Sequence, residues 1–355
     1  MNEPKLLSHM KENHLDAFYI SKKENVRFIS GYTGDDSALL ITSNEYFFIT
    51  DSRYTEQAQL ECPEYTIKNW RTPGRTKADM VGDLAREHKL TSVAFESDVL
   101  SYNDFQLFDE KVDANLKPYS GVIETFRQIK TPEEIQYMRA ACEISCRALE
   151  QLMPMIKPGI TEKELAANLS LFMVEEGADT MPYGNILISG KKTSLLHGIP
   201  SEKSIEYGDF VLIDFGCQVH GYMSDMTRTF VVGKATDKQK EVYEIEKRML
   251  EESTAIHKAG VTGKDIYIAS LGPLKDTPYM GYQYNNIGHG IGLFVHEGPF
   301  SSEQDLTPFP VGNVRTIEPG IYIPNWGGVR IEDQLLITED GYENMVRFTH
   351  DLIEL

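Results

Sequence analysis

No stretch of this chain is apolar for the roughly 20 residues a bilayer crossing needs, and its opening, MNEPKLLSHMKENHL, lacks the apolar core of a secretion signal. Cysteine is scarce. Cys62, Cys142, Cys146 and Cys217 are the only four, and their spacing fits neither a disulfide framework nor a zinc knuckle. Cys142 and Cys146 lie one helical turn apart and read as small buried residues. Positive charge is also short: 35 Lys and Arg face 54 Asp and Glu, for a net charge of −19. That balance argues against nucleic acid or an anionic membrane surface as the main partner. No glycine-rich loop stands at a strand-to-helix turn, so there is no phosphate cradle. These absences point to a globular protein of the reducing cytoplasm.

At 355 residues the chain exceeds the usual size of one core. Two domains are expected, 1–128 and 129–355, with a mixed α/β (α+β) fold class. In the first, DAFYI, SALLIT, YFFIT and SVAFES read as strands, with SALLIT and YFFIT forming a hairpin. LLSHMKENHL, KADMVGDLAREHK and YNDFQLFDEKV read as helices between them. The second domain opens at Thr131, a good N-cap, with Pro132 at the first helical position and Glu133 and Glu134 near the positive helix end. Ile135, Met138, Cys142, Leu149 and Leu152 then make a helical apolar stripe.

The second domain holds a faint internal repeat. KPGITEKEL from Lys157 and KAGVTGKDI from Lys258 match in register. Each follows a long helical segment, opens a helix capped by Thr161 or Thr262, and leads to a strand pair carrying two acids. The first pair is Asp214 and Asp225, on FVLIDFG and YMSDMTRTFVV, with His220-Gly221 as the turn. The second is Glu318 and Glu332, on TIEPGIYI and VRIEDQLLIT, with Asn325 to Gly328 as the turn and Glu332 in mid-strand. This arrangement implies two similar halves facing each other.

Four acids on otherwise apolar strands are costly without a partner. Asp214 and Asp225 alone are equally compatible with metal ligands and with a structural hydrogen-bonded pair. Converging, the four would raise each other's pKa, and divalent cations would relieve them. His289, in GHGIG, adds an imidazole whose glycine neighbours allow close approach. Oxygen-rich ligation with one imidazole suits Mn(II), Fe(II), Co(II) or Zn(II). His197 in LLHGIP and His296 in VHEGP sit beside Gly and Pro and are candidates to touch substrate or move a proton. Arg330 shares a strand face with Glu332, so it points toward the same pocket.

DFGCQVHGYMSDMTRT, GHGIGLFVHEGP, EPGIYI and GGVRIED resemble, in order, the signatures of the pita-bread metallopeptidases, nearest to the Xaa-Pro peptidase branch of prolidase and aminopeptidase P. RQIKTPEEIQYMRAA resembles the opening of that catalytic domain, and TDSRY lies in a stretch similar to the creatinase/prolidase N-terminal domain. The resemblance spans nearly the whole chain. It implies a pita-bread domain with a pseudo-twofold repeat, two divalent ions (most often Mn(II) or Co(II)), and a homodimer. Asp214 would bind one metal, His289 and Glu318 the other, with Asp225 and Glu332 bridging. A hydroxide between the metals would attack the peptide bond before proline, Glu318 would shuttle the proton, and His197, His296 and Arg330 would serve the substrate and intermediate. Small peptides with proline second are the implied partners. The same scaffold hosts methionine aminopeptidases and non-peptidase members. The N-terminal domain speaks against the first and the complete ligand set against the second. Asn285 and Phe300 depart from the pattern, at positions where relatives often carry histidine and arginine.

Overall fold

The computed structural model describes residues 3–355. The chain divides into two compact units, Met1–Arg127 and Gln128–Leu355. The first holds one six-stranded mixed sheet. Its strands are β1 (Ala17–Ile20), β2 (Ala38–Thr42), β3 (Tyr46–Thr50), β4 (Thr66–Asn69), β5 (Ser92–Glu96) and β6 (Asn115–Tyr119), in spatial order β4-β3-β2-β1-β5-β6. β2 and β3 form the expected antiparallel hairpin. Tyr19, Leu40, Phe47 and Val93 bury one face of the sheet with Val81 and Leu84 of the helix Lys77–Glu87. β4 and β6 were not anticipated. Both are edge strands with largely polar, part-exposed side chains, and β6 carries Pro118, which an edge tolerates.

The second unit opens with the helix Pro132–Leu152. Thr131 and Glu134 close a capping box at its start, worth about 1 kcal/mol. Met138, Cys142, Leu149 and Leu152 are buried along it. The repeat is visible in the coordinates. Thr161 caps Glu162–Glu175 and Thr262 caps Gly263–Ser270, each through a capping box. Each cap also bridges a later segment, Thr161 to Ser204 and Thr262 to Pro308. Long helices precede both, Pro132–Leu152 and Asp237–Thr254. Among the described residues no helix is long and apolar enough to cross a membrane.

The first half contributes β7 (Ile186–Ser189), β8 (Phe210–Phe215), β9 (Gln218–Val219), β10 (Tyr222–Met223) and β11 (Met226–Val231). β11, β8 and β7 pair in that order, while β9 and β10 form a small hairpin beyond them. Its turn is His220-Gly221, both at positive φ (49° and 81°), the backbone a two-residue hairpin loop requires. The second half contributes β12 (Asn286–Gly290), β13 (Glu297–Ser302), β14 (Val314–Ile317), β15 (Gly320–Ile323), β16 (Gly327–Arg330), β17 (Asp333–Ile337) and β18 (Tyr342–Asn344). β13-β12-β14-β17-β18 make one sheet and β15-β16 another.

Three expectations are corrected. YMSDMTRTFVV is not one strand: it breaks at Ser224-Asp225, between β10 and β11. Glu332 is not in mid-strand but at the break between β16 and β17, opposite a matching break at Glu318-Pro319. The second turn is Pro324 to Trp326, and Gly327 and Gly328 belong to β16. In each hairpin, then, the ladder stops, swings, and resumes in a different small sheet. The halves join at such a break: Glu332 N–H donates to the Thr227 carbonyl at 3.1 Å.

Gly216 lies in the first break, where an added Cβ would fall 1.9 Å from the Ser224 carbonyl oxygen. Gly216→Ala should lower stability by about 1–3 kcal/mol in urea unfolding. Gly341→Ala, whose methyl meets only Thr338 Oγ1 at 4.0 Å, should be neutral by the same measurement.

Candidate metal centre

Side chains alternate along β8. Val211, Ile213 and Phe215 enter one core, which leaves Asp214 on the opposite face near the strand end. Asp225 follows at the break before β11, where the chain can turn its carboxylate inward. Glu318 and Glu332 occupy the two breaks of the second hairpin. His289 is held on β12 between β13 and β14, where the register slips on both sides of it. Gly288, at φ +155°, lets that strand pass over Thr316, whose carbonyl would lie 2.4 Å from a Cβ.

These elements converge. All eight residues singled out from the sequence line one cavity of about 690 Å³. One ligand atom each from Asp225, His289 and Glu332 lies within 4.8 Å of the others. His289 Nε2 stands 3.4 Å from Glu318 Oε1 and 3.7 Å from Asp225 Oδ2. His289 Nδ1 faces the Gly290 carbonyl at 2.9 Å. A carbonyl can only accept, so Nδ1 carries the proton and the Nε2 lone pair is left toward the acids. Burial, with His296 beside it, pushes His289 down to about 3, so the ring is neutral and fit to ligate. Its ring meets that of His296 edge-on at 4.5 Å. His296 and His197 are both solvent-facing.

The acids show the strain expected without a cation. Burial, then Asp214 and Glu318, push Asp225 well above the carboxylate range. Glu332 is pushed likewise by burial, then by Asp225, Glu318 and Asp214. Burial raises Glu318 to about 7 although Arg330 opposes it. Glu332 Oε2 accepts from Thr227 Oγ1 at 2.7 Å, while its Oε1 is buried with no partner. An orphaned carboxylate oxygen beside a neutral imidazole and three further acids fits a divalent ion.

Arg330 is almost fully buried and ion-paired to Asp214 through Nη2, with Nη1 donating to Tyr322 Oη at 2.8 Å. Neighbouring Asp333 takes no part in the cavity. It pairs with Arg228 Nη2 at 2.8 Å and His350 Nε2 at 2.7 Å, and these hold it low against its burial. Sequence reasoning missed Tyr183, which donates to Asp225 Oδ1, and Glu246, whose Oε1 accepts the Ile331 N–H at 3.1 Å. Tyr183 sits in a loop with no periodic signal. Glu246 lies on a helix, where an acid reads as solvated. Phe300 lines the cavity, and Asn285 accepts from Tyr267 Oη at 3.1 Å.

Residues 136–339 match the model of metallopeptidase family M24, and residues 4–129 that of the creatinase/prolidase N-terminal domain. The chain belongs to metallopeptidase family M24. It is 35% identical over 360 residues to a Xaa-Pro dipeptidase of Pyrococcus furiosus, with 98% of each chain covered. Its fold is similar to the Xaa-Pro dipeptidase from Bacillus anthracis (TM-score 0.94, 36% identity, 99% and 98% of the two chains). It is also similar to the X-Pro aminopeptidase from Thermotoga maritima (TM-score 0.88, 34% identity, 96% and 98%). The M24 unit is thus the pita-bread domain expected from the motifs, and M24 metallopeptidases use divalent metals.

In this M24 enzyme the acids set a pH signature. The imidazole of His289, and that of His257 buried elsewhere in the same unit, are depressed from 6.5 when folded, so they oppose the carboxylates at lower pH and fall silent above it. Above that point folded Glu318, raised to about 7, still holds part of a proton that the unfolded chain has lost, and Asp225 and Glu332 are shifted in the same direction, so stability falls as pH rises. The melting temperature of metal-free protein should therefore drop between about pH 6.5 and about pH 8. Mn(II) should raise it, more at the upper end. Calorimetry showing a rise without metal would contradict the burial strain.

Proposed function

We propose that this metallopeptidase hydrolyses the bond between an N-terminal residue and proline, using two divalent ions, Mn(II) first and Co(II), Fe(II) or Zn(II) as alternatives. The observation that carries it is the cavity itself: four acids and a neutral His289 beside two solvent-facing histidines. Asp225 and Glu332 are read as the bridging ligands, Asp214 as a ligand of one ion, and His289 and Glu318 as ligands of the other. When bound, such ions lower the pKa of water and polarise a peptide carbonyl.

The side chains divide the remaining work. Glu318 is the most exposed of the four acids, its side chain 22% accessible. It can take a proton from the attacking water and return it to the departing proline nitrogen. His296 and His197 face the cavity without a carboxylate partner, placed to donate to the peptide oxygen as negative charge develops. Arg330 keeps Asp214 in one orientation. The nearly complete burial of the deep acids keeps bulk water away from the centre.

Phe300 speaks to substrate length. Within the cavity lining, the one arginine is Arg330, already paired with Asp214, so a dipeptide's carboxylate lacks a free guanidinium. Asn286 and Phe300 also border a second groove of about 740 Å³ that opens to solvent past Gln304 and Thr307. Longer peptides can leave the site along it, which favours aminopeptidase action. A reducing cytoplasm suits the four buried, unpaired cysteines. A homodimer is carried over from the family resemblance and is testable by light scattering.

Two outcomes follow. With Mn(II) or Co(II), Xaa-Pro and Xaa-Pro-Yaa peptides should release their first residue. The tripeptide should have the higher kcat/KM, and Phe300→Arg should shift the ratio toward the dipeptide. Release only from Met-Ala peptides would overturn the proline reading in favour of methionine aminopeptidase activity. Second, Glu332→Ala should abolish turnover and remove at least one ion by mass spectrometry. Unchanged metal content would reject the bridging role.

A further inference from the structure

Two fully buried side chains outside the proposed ligand set cross the seam between the halves. Thr227 stands two residues after Asp225, and Gln334 two after Glu332. Each reaches the acid of the opposite hairpin. Thr227 Oγ1 donates to Glu332 Oε2 at 2.7 Å, and Gln334 Oε1 accepts the main-chain N–H of Asp225 at 3.0 Å. With Glu332 ionised, as a metal ligand would be, the first bond runs from the hydroxyl to the carboxylate. Arg330 Nε, which can only donate, gives Thr227 Oγ1 a second hydrogen bond at 3.1 Å, and an ionised Glu332, which can only accept, takes the hydroxyl proton. Gln334 Nε2 turns back to the Met223 carbonyl at 3.5 Å, within the first hairpin, which orients its amide. Between the two side chains runs the main-chain bond from Glu332 to Thr227.

The arrangement is reciprocal. Each half supplies one of the acids read as bridging and a side chain that holds the other half's, Thr227 at the Glu332 carboxylate and Gln334 at the Asp225 main chain. A seam that merely satisfied its own polar groups would not need bonds that end on the two residues read as bridging.

We infer that Thr227 and Gln334 are paired positioning residues of the metal centre, each holding the bridging acid of the opposite half, so that neither half binds its share of the ions alone. The inference rests on the two-metal reading above. Groups that orient a ligand typically control metal affinity by about 10–100-fold.

The test compares Thr227→Val, which deletes the hydroxyl at near-constant volume, Thr227→Ser, which keeps it, and Gln334→Met, which removes the acceptor. Stripped protein is titrated with Mn(II) by calorimetry, metal content is measured by mass spectrometry, and folding is followed by circular dichroism. Thr227→Val and Gln334→Met should each weaken Mn(II) binding by about 10–100-fold, and Thr227→Ser should restore it. The double variant should lose less than the product of the two single losses, because both act on one centre. Folded variants with wild-type affinity and stoichiometry would overturn the inference. If Thr227→Val does not fold, unchanged affinity in Gln334→Met suffices to reject it. Wild-type protein that binds no Mn(II) would instead reject the two-metal reading.

Discussion

Four carboxylates in one closed space dominate the catalytic unit. At about 4 Å two like charges repel by about 4 kcal/mol even at an effective dielectric of 20, so four cannot all ionise there unaided. Burial and this mutual repulsion push Asp225 and Glu332 well above the carboxylate range and raise Glu318 to about 7. The surroundings offer one guanidinium, Arg330, committed to Asp214, and an imidazole kept neutral. Two divalent cations would cancel the four negative charges and leave Arg330 as a single excess positive charge. That excess suits the negative charge that grows on a peptide oxygen during hydrolysis.

The same repulsion explains why the hairpins break. A continuous ladder sends alternate side chains to opposite faces, and it would bring at most one acid per strand to a given point on one face. Interrupting β10–β11 and β16–β17 frees Asp225 and Glu332 from that alternation and lets both turn to the seam. Arg228 then caps the buried carbonyls there, donating to the main chain of Thr227 at 2.8 Å and of Glu332 at 2.6 Å. Its charge is met by Asp333 rather than by the acids of the cavity. Removing one partner of such a buried pair costs about 3–5 kcal/mol, so the seam is expensive to alter. The internal repeat fits this geometry, since two similar halves bring two similar breaks face to face.

Much of the site was legible because its chemistry conflicts with its setting. An acid at the end of FVLIDF, or between Ile331 and the LLI run, has no local reason to be there, and that conflict marked Asp214 and Glu332. The capping boxes at Thr161 and Thr262 exposed the repeat, because a cap is a local signal. The breaks were not legible. Ile331, Glu332, Asp333 and Gln334 continue a strand-like run in sequence, while in the fold Glu332 bridges across to Thr227 and the Ile331 N–H goes to Glu246. Glu246 was hidden for the same reason: its role comes from a backbone N–H that reaches it through tertiary packing. The edge strands β4 and β6 escaped notice because an edge needs little apolar patterning.

Reaction and substrate depend on different parts of the molecule. The deep acids and His289 sit on or between paired strands, anchored by main-chain bonds across the seam, where any one residue's position depends on several others. His197, His296 and Phe300 sit at the mouth and touch solvent, where a substitution displaces little. Chemistry in this architecture should therefore change slowly and substrate choice quickly. A cavity with four acids at its base and an exposed Phe300 at its rim fits that division. Its floor commits the protein to metal-assisted hydrolysis, while its rim, at Phe300, adjoins the Gln304 groove.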